Sequence, residues 1–231
     1  VERNTGVSIH HKGYVIPHMA SLAFKKATSY NSGFLVHIGD LNRGRVCKSL
    51  LEAIKYVADK YPHRFRGLLC VGTVCQEFHD MVQRMNMKSL VKIHHAVSSE
   101  QAMMIAGSST AVLVIEANMP ESPFLPSKFA DYSASGRPII AITPLISPVR
   151  DYLQRYGGGY AVTHNRTEIA QVLCNVFGEP ISDSQPSKPP NNNRMLLDMF
   201  TQEEISKAYV QMFDRVISNS SNRASRFSKK A

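Results

Sequence analysis

The sequence predicts an α/β protein: one doubly wound parallel sheet of about six strands, with helices on both faces. Three observations predict it. Short, continuous apolar runs recur along the chain, as in strands buried on both faces; Val112-Leu-Val-Ile115 and Ile139-Ile-Ala-Ile142 are the clearest. Amphipathic segments at helical spacing separate these runs, so strand and helix alternate. Capping residues and glycines punctuate the boundaries. Right-handed crossovers between such strands make the sheet Rossmann-like.

In chain order, residues 1–13 are polar and include His10-His11; two adjacent histidines could be metal ligands, but such exposed pairs more often have no specific role. Tyr14-Val-Ile-Pro17 reads as a short strand ending at a proline, and residues 19–32 as irregular. Gly33-Phe-Leu-Val-His-Ile-Gly39 is a strand closed by glycine, and Asp40 to Arg45 a polar turn. The spacing of Leu50, Ile54, Val57 and Ala58 predicts a helix from about Val46 to Lys60. Leu68–Val71 is the next strand. Thr73 and Gln76 fit a capping box for a helix to about Asn86, with Val74, Phe78, Met81, Val82 and Met85 buried. That methionine stripe is core packing.

Leu90–Ile93 reads as a strand. Ser98 and Gln101 form a second capping box for a helix ending near Gly107, and Thr110–Ile115 is the strand after it. A helix follows Pro126, with Ser127 at the N-cap, Gly136 at the left-handed C′ position and Pro138 blocking continuation. After Ile139–Ile142, Ser147 caps a helix whose first residue is Pro148 and which stops at Gly157-Gly-Gly159. Tyr160–Val162 is the last strand. Ile169, Val172, Leu173, Val176 and Phe177 mark another helix. Residues 179–194 are rich in Pro, Ser and Asn and read as a linker. A final helix, about Thr201 to Ser218, presents Ile205, Ala208, Tyr209, Met212, Val216 and Ile217. The expected organisation is a linker segment over 1–18, a Rossmann-like domain over 19–180, a linker and C-terminal helix over 181–218, and a basic disordered tail over 219–231.

Composition narrows the function classes. The net charge of +9 over 231 residues suits anionic partners: nucleotide phosphates or an anionic membrane surface. No basic, aromatic-rich strand pattern appears, so nucleic acid is not an expected partner. No apolar run approaches the ~20 residues of a membrane span. The four cysteines show no Cys-x-x-Cys spacing, and Cys70 and Cys174 lie in apolar surroundings; reduced thiols and a cytoplasmic setting are expected. The chain begins at Val1 rather than Met, and the expectation is a segment of a longer protein.

Two loops carry chemistry. At the first, Gly39 lets a ligand approach the backbone, and Arg45 before the helix offers a planar fork to a diphosphate. At the second, Ser127 and Lys128 stand at a helix mouth, where free N–H groups and the dipole favour anions, with Asp131 one turn on. A cation at the mouth and a carboxylate one turn in suit a phosphate and a ribose hydroxyl; a surface lysine and aspartate on a crossover helix is the plainer alternative. Neither loop is a Gly-x-Gly-x-x-Gly fingerprint or a Walker A loop.

Leu125-Pro-Ser-Lys-Phe-Ala-Asp-Tyr-Ser-Ala-Ser-Gly-Arg-Pro-Ile-Ile140 resembles the nucleotide-sugar motif of retaining glycosyltransferases of the GT-B fold, glycosyltransferase 4 type. Gly39, Arg45 and Leu50-Leu-Glu-Ala53 resemble the same family's first loop and helix, and Val15-Ile-Pro17 the end of its interdomain linker. The resemblance covers about Tyr14 to Phe177. It implies the C-terminal, donor-binding half of a GT-B enzyme that transfers sugar from a nucleotide diphosphate without cofactor or metal. Gly39, Arg45, Ser127 and Lys128 would hold the diphosphate, Asp131 the ribose, and His95 or Val97 the base through the backbone. The acceptor would be a glycan or lipid-linked chain of a bacterial surface polysaccharide, and its site and one wall of the cleft would belong to an N-terminal domain. One departure stands out. Members often carry two glutamates with seven residues between them; here the second position is Asp131 and the first is Pro123, with Glu121 nearby. A nucleotide-sugar epimerase of related fold and a non-enzymatic basic binding module are the alternatives.

Overall fold

The computed structural model describes residues 16–20, 32–178 and 193–228. The elements are β1 (Phe34–Ile38), α1 (Lys48–Lys60), β2 (Gly67–Val71), α2 (Gln76–Arg84), β3 (Val91–His94), α3 (Ser99–Ser108) and β4 (Ala111–Ile115). They continue with α4 (Ser127–Ala134), β5 (Ile139–Ile142), α5 (Pro148–Tyr156), β6 (Gly159–Val162), α6 (Arg166–Phe177), α7 (Asn193–Asp198) and α8 (Gln202–Ser228). The six strands form one sheet in the order β3-β2-β1-β4-β5-β6, every pair parallel. The chain is therefore the doubly wound, Rossmann-like α/β fold that its sequence predicts.

Strand alternation explains the continuous apolar runs. In β4, Leu113 and Ile115 enter a core layer with Leu50, Ile54 and Leu173, while Val112 and Val114 enter the opposite layer with Phe129, Val149 and Leu153. β5 divides likewise: Ile140 and Ile142 face one layer, Ile139 and Ala141 the other. A strand covered on both faces needs apolar residues at every position, because successive side chains point to opposite sides. The strand order reverses between β1 and β4, where such sheets hold ligands. The β1–β4 ladder is short, pairing only Leu35 with Ala111 and Val36 with Val112.

Several boundaries differ from expectation. No capping box forms at Thr73 and Gln76. Leu41 bridges Val74, and the Thr73 N–H donates to Asp40, so residues 73–74 stay extended and α2 starts after Cys75. Pro126, not Ser127, occupies the N-cap of α4, and Ser127 is the first helical residue. The capping box at Ser98 and the Ser147 cap with Pro148 form as predicted. Asn193–Asp198, partly inside the expected linker, is helical. Leu196 and Phe200 are fully buried against Phe129 and Tyr152, a contact between distant segments that local composition does not signal. α8 runs to Ser228, ten residues past the expected end at about Ser218; no Gly or Pro in that stretch breaks the helix. Of the α8 face, Ile205 is buried, whereas Tyr209, Val216 and Ile217 are exposed. Ile16 and Pro17 have no regular structure. The remaining expectations for residues 1–15, 21–31, 179–192 and 229–231 lie outside the described residues.

Candidate anion site at the strand switch point

β1 delivers the chain to Gly39, whose φ of +100° lies in the region that favours glycine. Its N–H donates to the Val71 carbonyl at 2.8 Å, and Leu41 N–H to Thr73, so the segment follows β2 beyond the sheet. A Cβ at Gly39 would stand 3.0 Å from the ammonium nitrogen of Lys128. The missing side chain is what leaves room for that lysine. A single 3-10 turn, Arg43–Arg45, then leads into α1, and Gly44 faces Ala117 at the start of the β4–α4 loop. The two loops singled out in the sequence thus meet at the switch point.

α4 supplies the cation. With proline at its N-cap, no side chain caps its first turn; the Phe129 N–H donates to the Pro126 carbonyl at 2.9 Å, and the Ser127 and Lys128 N–H groups are left at the mouth. Lys128 Nζ lies 3.5 Å from His37 Nε2. The His37 Nδ1–H donates to the Leu113 carbonyl at 3.0 Å, which leaves Nε2 as an acceptor facing the ammonium. Burial, then the charge of Lys128, drives the His37 pKa down to about 3, so its ring is neutral. Burial, then the nearby Arg45 guanidinium, pulls Lys128 down to about 8; Asp40 opposes the shift. Among the described residues, no carboxylate lies within ion-pair distance of Lys128 or Arg45. One turn beyond Lys128 on the same face, buried Tyr132 accepts the Ile38 N–H at 2.8 Å and fastens α4 to the end of β1.

Gly39, Arg45, Ser127 and Lys128 are brought together. Asp131 stands one turn along α4, partly exposed. His95 and Val97 follow β3 at the same edge of the sheet but two strands from β1, about 10 Å away by strand spacing. His95 is exposed, its carbonyl accepting from His94 Nδ1, and Val97 is half-buried. Glu121 is half-buried in a bridge to Ile146, and Pro123 is exposed. Sequence reasoning missed His37 and Tyr132. Tyr132 was accessible from its i+4 spacing to Lys128; His37 looked like one more residue of an apolar strand. It also missed Glu116, a buried carboxylate at the end of β4. Among the described residues, no group of three His, Cys, Asp or Glu is placed to hold a metal ion.

No family model and no curated protein matches the chain. Solved structures do. A mutant of S. aureus TarM, in complex with fondaparinux, alpha-GlcNAc-glycerol and UDP, superposes with a TM-score of 0.65 at 13% identity over 87% of this chain. AviGT4, a glycosyltransferase of avilamycin A biosynthesis, gives 0.62 at 16% over 90%. The pneumococcal O-GlcNAc transferase GtfA, with UDP and GlcNAc, gives 0.60 at 11% over 87%. The chain covers 39%, 59% and 38% of those three solved chains. The shared feature is the fold: this six-stranded sheet matches the Rossmann-like domains of GT-B glycosyltransferases.

Proposed function

We propose that this chain is the nucleotide-sugar-binding half of a retaining, metal-independent glycosyltransferase of the glycosyltransferase 4 type. The observation that carries the reading is the convergence of Lys128, Arg45 and the uncapped mouth of α4 around Gly39 at the switch point. Two neighbouring cations with no carboxylate at ion-pair distance among the described residues repel each other, and a bound diphosphate relieves that repulsion. The same groups stabilise the charge that develops on a departing nucleoside diphosphate, the task a divalent ion performs elsewhere. Asp131 accepts from the ribose hydroxyls, and the backbone near His95 and Val97 faces the base. UDP in the TarM and GtfA structures supports this choice of ligand.

The acceptor site and the second wall of the cleft come from another domain, and the product is a bacterial surface glycan built on a lipid-linked acceptor at the inner membrane face. The +9 charge supports the anionic setting. Calorimetry with UDP, GDP and ADP, with and without EDTA, tests the reading. Binding of at least one, unchanged by EDTA, is expected; no binding, or binding lost with EDTA, defeats it.

A further inference from the structure

We infer that Glu116 is a positioning residue: it ties the β4–α4 loop to the loop after β5 and so sets the mouth of α4. The inference rests on the reading of that mouth as a diphosphate site. Glu116 directly follows β4 at 4% exposure, and both its carboxyl oxygens are engaged. Oε1 accepts the Ser122 hydroxyl at 2.7 Å, and Oε2 accepts the Ser147 hydroxyl at 2.5 Å. Both serines are buried. Ser122 belongs to the loop leading into α4; Ser147 caps α5. The Ser122 N–H also donates to the Ile146 carbonyl at 2.9 Å, so main chain and side chain close the same junction. A third loop joins from β6, where the His164 Nε2–H donates to the Glu116 carbonyl at 3.0 Å.

The chemistry of this junction calls for an acceptor at Glu116. The Ser147 oxygen already receives the Val149 and Arg150 N–H groups of α5, so its one proton must go outward. The tied loop needs such a restraint. Between Ile115 and Ser127 it has no helix or strand, only the single Glu121–Ile146 bridge, and it places Ala117 against Gly44 and Lys128 beside Gly39. The carboxyl group is sheathed by hydroxyls, so it organises an anion site without facing the anion.

Ser122→Ala and Glu116→Leu in the 231-residue chain test this, with hydrogen exchange over residues 117–126 and UDP titration as readouts. Ser122→Ala removes one tie and leaves the α5 cap intact, so it serves if Glu116→Leu fails to fold. Faster exchange confined to this loop is expected. UDP affinity should fall about two- to tenfold, the worth of one net hydrogen bond. In a Lys128→Ala background that further fall should shrink, because Lys128 is one of the groups through which the α4 mouth holds the anion. Unchanged exchange overturns the inference. So does a loosened loop with unchanged UDP affinity, or an equal fall in the Lys128→Ala background. If the wild-type chain binds no UDP, the functional reading fails by itself, and the exchange measurement still decides whether Glu116 ties the loop.

Discussion

Lys128 is held where burial and a neighbouring guanidinium both oppose its charge, which makes it the residue with most to gain from an anion. Its pKa falls from an ordinary 10.5 to about 8. A bound diphosphate favours the charged form, so affinity for UDP is full below pH 8 and declines as pH rises through it. Titrations from pH 6 to 10 should show that decline in the wild type and a flat profile in Lys128→Ala. Stability carries the opposite sign. The folded-state pKa lies below the unfolded one, so folding disfavours the charged lysine below pH 8, and that cost disappears between pH 8 and 10.5. Lys128→Met should therefore raise the thermal midpoint at pH 7, with the advantage shrinking across that window. Replacing Lys128 or Arg45 by Ala should each weaken UDP binding by about 1.5–3 kcal/mol, the range for charge-assisted hydrogen bonds, as read by calorimetry.

At the scale of elements, α4 reaches β1 through two residues one turn apart, Lys128 and Tyr132. Tyr132→Phe removes the acceptor of the partly buried Ile38 N–H and should cost about 1 kcal/mol in urea unfolding. Gly39→Ala combines a positive φ with a Cβ crowding Lys128; loss of UDP binding beyond the loss of stability is expected. The element scale also shows where sequence rules stop. Ser98 and Ser147 satisfy helix donors using neighbours three residues away or closer, and both caps were legible. Thr73 looked equivalent, yet its segment pairs with Leu41, more than thirty positions earlier, and that pairing delays α2. α7 escaped notice because its apolar run, Met195-Leu196-Leu197, is shorter than one helical repeat of pattern.

At the scale of the molecule, the described residues form one sheet with its candidate site at the C-terminal ends of the strands and a long helix, α8, with exposed Tyr209, Val210 and Phe213. Among the described residues, no helix is long and apolar enough to cross a membrane. Beyond Ser218 the sequence carries Arg223, Arg226, Phe227, Lys229 and Lys230. Basic residues at an anionic surface contribute roughly 1 kcal/mol each and are screened by salt. Truncation after Ser218 should reduce co-sedimentation with anionic vesicles at low salt; undiminished binding would exclude this segment as the contact. Because the acceptor site is assigned to another domain, these 231 residues alone should bind a nucleotide sugar without transferring it. A radiolabelled-donor assay that detects product would contradict that assignment.

The alternation of strands and helices was determined by the sequence itself, because burial on both sheet faces demands unbroken apolar runs and helix burial demands a three-to-four spacing. The two anion-friendly loops were legible for a local reason as well: glycine, proline and basic residues act on their own stretch of backbone. Only the tertiary structure decided that these loops share one place. Gly39 and Lys128 are far apart in the chain, and the reversal of strand order between β1 and β4 brings them into contact. It also decided the roles of His37, Tyr132 and Glu116. Each is polar in an otherwise apolar setting, and each is satisfied by a partner from another element: Leu113, Ile38, and the Ser122 and Ser147 hydroxyls. A buried polar group must find a hydrogen bond, but the partner's identity depends on which strands become neighbours, and that is a property of the folded sheet.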